Sequence, residues 1–220
     1  MIHLFALLSL LLCGVCYTGF QNSSHFHNTS NRRSLLLLVF GGALLLRLLL
    51  AYTTHGFSND IACFAAWADR IFTLGPGQFY SAEMFTDYPP GFMYVLYLIG
   101  ALRSLLQIPY YSDLHILLLK LPAILCDIAC GFLLYREAVK RLHFSDLQGI
   151  FAASAYLFQP AVILNSSCWG QVDSVYTLMI ILMCLFLMKG NLLPAYAVYG
   201  LGVLLKPQML IFTPVLLAGI

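Results

Sequence analysis

Residues 34–53 read SLLLLVFGGALLLRLLLAYT, a continuous apolar run carrying one charge, Arg47. As an α-helix such a run is about 30 Å long, the thickness of a bilayer's hydrocarbon core. In lipid it must be helical, because each backbone N–H and C=O has to find its partner within the segment. Further apolar runs cover about 92–107, 114–135, 147–164, 175–188 and 192–205. The expected fold is therefore all-α, a polytopic transmembrane helical bundle. A charge inside a span costs roughly 2.5–3.5 kcal/mol on insertion scales, so Arg47 should face protein or water. Snorkelling towards the nearer interface and burial against a partner both remain open.

Composition agrees. The 220 residues are 61% hydrophobic and 9% charged, against about 25% charged in soluble domains. A formal net charge of +2, without a basic cluster of nucleic-acid type, argues against a nucleic-acid partner. Of the seven cysteines, only Cys13 and Cys16, inside the apolar run 4–20, stand at CxxC spacing. Cys126, Cys130 and Cys184 lie in apolar runs and read as small core residues. The apolar run 4–20 has no Lys or Arg ahead of it, so it reads as an uncleaved span or an over-extended start, not as a secretory signal. Residues 1–33 form an N-terminal unit of this run plus a polar stretch ending in Arg32-Arg33, and 34–220 form the transmembrane module.

The most polar interruption follows the first span. Between 58 and 91 it holds Asp60, Asp69, Glu83 and Asp87, four of the nine acidic residues. Ile61, Phe64, Ala65, Ala68, Ile71 and Phe72 recur at helical spacing, predicting an amphipathic helix lying along the membrane surface, with Trp67 at the interface. Gly75-Pro76-Gly77 ends it, and Pro89-Pro90-Gly91 breaks the backbone again. Ser58, Asn59 and Asp60 suit a helix N-cap, which is the plain reading of Asp60. Asp87 before Tyr-Pro-Pro suits a turn.

Charge distribution bears on topology. If 92–107 is re-entrant or interfacial, Arg32, Arg33, Arg136, Lys140, Arg141 and Lys189 all fall on the cytoplasmic side. That arrangement obeys the positive-inside rule better than a full crossing. It also gathers Asp60, Asp87, the WGQVDS turn (169–174) and Lys206 at the outer face. Two carboxylates in one outer pocket would suit general-base work on a hydroxyl, or a divalent metal held by oxygen ligands. Gln171 and Asp173 could hydrogen-bond sugar hydroxyls while Trp169 packs on the ring; the alternative is an interfacial aromatic with ordinary loop neighbours. Lys206 could meet a phosphate as a point charge or act as a flanking anchor. Lys120 and Asp127 share a helix face and read as a structural intramembrane pair.

Taken in order, Asn59-Asp60, an amphipathic helix, Phe79-Tyr80, Asp87-Tyr88-Pro89-Pro90, a span with Asp127, WGQVDS and Lys206-Pro207-Gln208 resemble the GT-C membrane glycosyltransferases. The likeness is to bacterial relatives of the GPI mannosyltransferases, and more loosely to the dolichol-linked glucosyltransferases. It covers about 34–212. The resemblance implies a transferase that moves a sugar, mannose among the candidates, from a polyprenyl-phosphate donor to a hydroxyl on a glycan or lipid acceptor. Asp60 would be the base and Asp87 the second acid, with Trp169, Gln171 and Asp173 lining the substrate site and Lys206 at the leaving phosphate. It implies a multi-pass protein of the bacterial plasma membrane or the eukaryotic endoplasmic reticulum. Family members run on through further spans, so the expectation is a module truncated at its C-terminus. The alternative from another class is a non-catalytic module that binds lipid-phosphate or a partner protein. A transporter fits less well, because the polar residues gather at one surface instead of mid-span.

Overall fold

The computed structural model describes residues 10–12, 14–15, 17–19, 32–81 and 85–219. The apolar run 4–20, most of the polar stretch after it and Glu83 thus fall wholly or partly outside them. Among the described residues the chain is helical with no strand. Its principal helices are α1 (Arg32–Thr53), α2 (Ser58–Leu74), α3 (Pro90–Leu105), α4 (Asp113–Lys140) and α5 (Asp146–Leu157). They continue as α6 (Pro160–Trp169), α7 (Asp173–Leu187) and α8 (Leu192–Leu205), then a 3₁₀ stretch Pro207–Phe212 and α9 (Thr213–Ala218). α1 and α4 are long and apolar enough to cross a membrane, and α5 with α6 makes a third such span if the bent pair is one unit.

The expected single span over 147–164 is broken. Pro160 has no N–H to give to the preceding turn, and Gln159 before it is pushed out of the helical region to φ −62°, ψ 120°. The axis turns by 51° there. The helix then runs past the expected end: Leu164–Trp169 is a π-helical turn, so the polar residues 165–169 are helix and not loop. Gly170, at φ +88°, ends it. Its N–H and that of Gln171 both donate to the Asn165 carbonyl, at 3.1 and 2.9 Å.

Arg47 does not snorkel. It is fully buried and donates from Nε to Asp127 Oδ2 at 3.1 Å, with further bonds to the carbonyls of Ala43 and Leu157. Asp127 also accepts from Ser166 at 2.6 Å, from Tyr156 at 3.3 Å and from Ser174. The carboxylate thus binds groups from α1, α5, α6 and α7, which satisfies a charge that would otherwise be costly to bury. The Lys120–Asp127 pair is not formed. Lys120 Nζ instead donates to the carbonyls of Ala51, Thr54 and Ser167 and to the Thr54 hydroxyl, at 2.7–3.2 Å. Seven residues place two side chains on one face of a helix, but partners on neighbouring helices lie closer.

The apolar face foreseen for α2 is the buried one, with Ile61, Phe64, Ala65, Ala68 and Ile71 in a core shared with α3 and α4. Trp67 belongs to this core too: it is 2% exposed and its indole donates to the Phe85 carbonyl at 3.1 Å, so its ring packs on protein. A Cβ on Gly100 would run into the Ala68 carbonyl oxygen, so α2 and α3 meet backbone to backbone.

Contacts sort the helix ends into two groups. Arg32 donates to Tyr135 and pairs with Asp146, and Arg141 donates to the Met188 carbonyl. The start of α1, the end of α4, the start of α5 and the end of α7 therefore share one end, where Arg136, Lys140 and Lys189 also gather. At the other end, Phe57 binds Trp169, His55 lies 3.6 Å from Asp113 and Lys206 binds Gln171. Gly91 at the start of α3 abuts the Leu204 carbonyl near the end of α8. Arg103 near the end of α3 contacts Asp69 of α2 and lies 5.7 Å from the ring of Tyr110, just before α4. Helix α3 thus leaves from and returns to the same group of ends.

Candidate functional site

Asp60 sits in the first turn of α2. The N-cap is Phe57, which offers no side-chain acceptor, so Asp60 does not cap the helix. Its carboxylate is favoured there by the helix dipole and is turned towards the end of α6. Oδ2 accepts from Trp169 Nε1 at 2.9 Å and from Gln171 Nε2 at 2.5 Å. The two segments are stapled by the Phe57 N–H to the Trp169 carbonyl at 2.8 Å and by the rings of Phe57 and Trp169, 5.1 Å apart. Gly170 makes this possible, since a Cβ there would fall 2.6 Å from Ile61 Cδ1.

Gln171 is held from its other side. Its Oε1 accepts from Tyr88 at 3.3 Å and from Lys206 Nζ at 3.4 Å. This fixes the amide with its oxygen towards the cation and its nitrogen towards Asp60. Lys206 pairs closely with Asp173, whose second oxygen accepts from Asn165 Nδ2 at 2.9 Å. The ammonium lies 5.6 Å from the Tyr88 ring and 5.7 Å from the Tyr176 ring, within cation–π range.

These groups border a cavity of about 380 Å³. Asp60, Asp87, Gln171 and Lys206 line it, together with Asn59, Cys63, Tyr88 and Gln208. Asp173 supports the wall through Lys206, and Trp169, 50% exposed, holds Asp60 while leaving much of its ring open. Asp87 is exposed and makes no side-chain hydrogen bond among the described residues. The six residues singled out in the sequence are thus brought into one neighbourhood. Sequence reasoning gave no role to Tyr88, Asn165 or Cys63. Tyr88 stands inside Asp-Tyr-Pro-Pro, where its neighbours drew the attention.

Charge concentrates here. Burial pushes the Tyr88 hydroxyl well above the ordinary tyrosine value, and the carboxylates of Asp173, Asp87 and Asp60 push it further. Burial also raises the Cys63 thiol, followed by Asp87 and then Asp60. Both side chains therefore stay protonated at neutral pH, and Tyr88 remains a donor to Gln171. Among the described residues no three His, Cys, Asp or Glu side chains are grouped to hold a metal ion. Asp60 and Asp87 offer two carboxylates, and the first is already engaged by two N–H donors. No protein family, curated protein or solved structure was found to match the chain.

Proposed function

We propose that the chain is a GT-C-type membrane glycosyltransferase module, moving a sugar from a polyprenyl-phosphate donor to a hydroxyl acceptor at the outer face of a membrane. The observation that carries the reading is the single cavity lined by Asp60, Asp87, Gln171 and Lys206, the residues on which the sequence resemblance rests. Asp60 Oδ2 is occupied by two N–H donors, which leaves Oδ1 as the oxygen to take the acceptor's proton. Asp87 adds a second, exposed carboxylate to the cavity wall. Lys206 contributes its charge on the leaving-group side, tempered by Asp173. The exposed ring of Trp169 offers a flat apolar surface to a sugar face.

The orientation follows from charge. Arg32, Arg136, Lys140, Arg141 and Lys189 share the end away from the cavity, so the positive-inside rule puts that end in the cytoplasm and the cavity outside. In that arrangement α1, α4, α5–α6, α7 and α8 form the polytopic bundle, and α2 and α3 pack at its outer end. A donor's lipid tail would stay in the bilayer while its head group reaches the cavity.

The test is transfer of labelled sugar, mannose first, from polyprenyl phosphate to a hydroxyl acceptor, using the full protein in proteoliposomes. The wild type should turn over and Asp60→Asn should lose about 10²–10⁴-fold with unchanged membrane insertion. Undiminished transfer by Asp60→Asn would remove Asp60 as base. Donor binding without turnover by the wild type would favour the non-catalytic reading.

A further inference from the structure

At the end of the bundle away from the candidate site, the last turn of α4 and the α7–α8 turn enclose a second cleft of about 290 Å³. It is lined by Arg136, Glu137, Lys140, Arg141 and Lys189, four cations against one carboxylate. Arg141 Nη2 donates to the Met188 carbonyl at 2.9 Å and fixes the two walls together. We propose that this cleft binds a phosphate-bearing anion, supplied by an anionic phospholipid head group or by phosphate from solution.

Two observations point to an anion site. Arg136 Nε and Arg141 Nη1 are buried and have no hydrogen-bond partner. Arg136 Nε lies 3.4 Å from Glu137 Oε1, an ion pair without hydrogen-bond geometry. Separately, Lys140 and Lys189 form no ion pair or side-chain hydrogen bond among the described residues, so Glu137 is the one carboxylate of the cleft lining set against four cations. Cations at helix C-termini offset the macrodipole and help set topology. Neither role requires guanidinium nitrogens to be buried without an acceptor, which costs free energy. A phosphate supplies several acceptor oxygens at once and suits the planar guanidinium fork. Exposed Leu142, Met188 and Leu193 flank these cations in sequence, giving acyl chains an apolar surface beside a bound head group. Basic pockets between helices at the cytoplasmic face suit such head groups.

The experiment titrates the full chain in an uncharged detergent with dioleoylphosphatidylglycerol, dioleoylphosphatidylcholine or inorganic phosphate. Retained lipid is read by native mass spectrometry and the unfolding midpoint by a thermal scan. Phosphatidylglycerol should bind and raise the midpoint, more weakly as salt is added, and phosphatidylcholine should do neither. The double variant Lys140→Gln/Lys189→Gln should weaken that binding about thirtyfold. Neither lysine makes a side-chain hydrogen bond or ion pair among the described residues, so its lipid-free midpoint should fall only slightly, by the loss of Lys140 at the end of α4. If inorganic phosphate alone raises the midpoint and displaces phosphatidylglycerol, solution phosphate is the source; a response to the lipid alone assigns the head group. Equal binding of the two lipids, or full affinity in a folded double variant, overturns the site.

Discussion

Trp169 and Asp60, 109 positions apart, are joined by a single hydrogen bond from the indole Nε1 to Oδ2 at 2.9 Å. The bond holds the start of α2 against the end of α6 and leaves the second carboxylate oxygen to the cavity. Removing the donor while keeping an aromatic ring tests what it does. Trp169→Phe should lower the proposed sugar transfer by about 10- to 150-fold, the scale of one charge-assisted hydrogen bond of 1.5–3 kcal/mol, while leaving the fold intact. An unchanged rate would show that Gln171 alone positions Asp60.

Gln171→Glu probes the same carboxylate from its other side. A second carboxylate would face Asp60 across a contact of 2.5 Å in the native protein. Like charges that close raise a carboxyl pKa, so the acid limb of the pH–rate profile should move to higher pH. Gln171→Leu removes the donor without adding charge and should leave that limb less displaced. Identical profiles for the two variants would contradict this account.

The buried ion pair should dominate stability. Arg47→Ala leaves Asp127 without its cation, at a cost of about 3–5 kcal/mol for one partner of a buried pair. The remaining Ser166, Ser174 and Tyr156 donors keep the loss towards the lower end of that range. Replacing both, as in Arg47→Met/Asp127→Leu, should recover much of it. Thermal unfolding in detergent measures both, and a double variant no more stable than Arg47→Ala would argue against the pair as the source.

Gly100 admits no side chain. Gly100→Leu places its Cβ against the Ala68 carbonyl oxygen, rigid backbone that cannot turn aside. Separation of α2 from α3 should follow, with a loss of about 1–3 kcal/mol or more from overpacking and an enlarged candidate cavity. Wild-type stability in that variant would show that the two helices can shift apart freely.

Cys63 and Tyr88 make the site alkali-sensitive. Both have folded-state pKa values above their ordinary ones, so their contribution to stability is complete below the unfolded values, roughly 8.5 for Cys and 10 for Tyr. It is lost as pH rises through the folded values. The Cys63 thiol should therefore alkylate slowly at neutral pH, with its half-titration above that of a free cysteine. Asp87→Asn should bring it down, since Asp87 is the larger of the two carboxylate causes. Alkylation at the rate of an unperturbed thiol would show that Cys63 is neither shielded nor near those charges.

The sequence made much of this arrangement visible, and the missing parts have a common cause. Apolar runs marked the helices because the 3.6-residue repeat is local, and the buried face of α2 followed from Ile61, Phe64, Ala65, Ala68 and Ile71. Pro160 was equally visible, yet the run around it stayed apolar, so the break was masked by composition. The helix through Asn165–Trp169 was hidden because its serines look like loop residues until Asp127 is placed beside Ser166. Partners of charged groups lay beyond sequence reach. Lys120 and Asp127 are spaced to meet on one helix face, but it is Arg47, 80 positions from Asp127, that binds it. At the candidate site, residues of chemical interest could be named, but Lys206's close pairing with Asp173 required the fold.

The Asp127 cluster also constrains how the protein can assemble. While α1 stands alone it carries a bare guanidinium, and α4 alone carries a bare carboxylate; each is poorly tolerated in an apolar medium. Tyr156, Ser166 and Ser174 have hydroxyls that gain a strong acceptor only once α5, α6 and α7 arrive. Docking any one helix raises the advantage of docking the next. Forms in which α1 and α4 stay apart are therefore penalised most, the later helices add donors to a pair already formed, and the register of each is fixed by a single shared carboxylate.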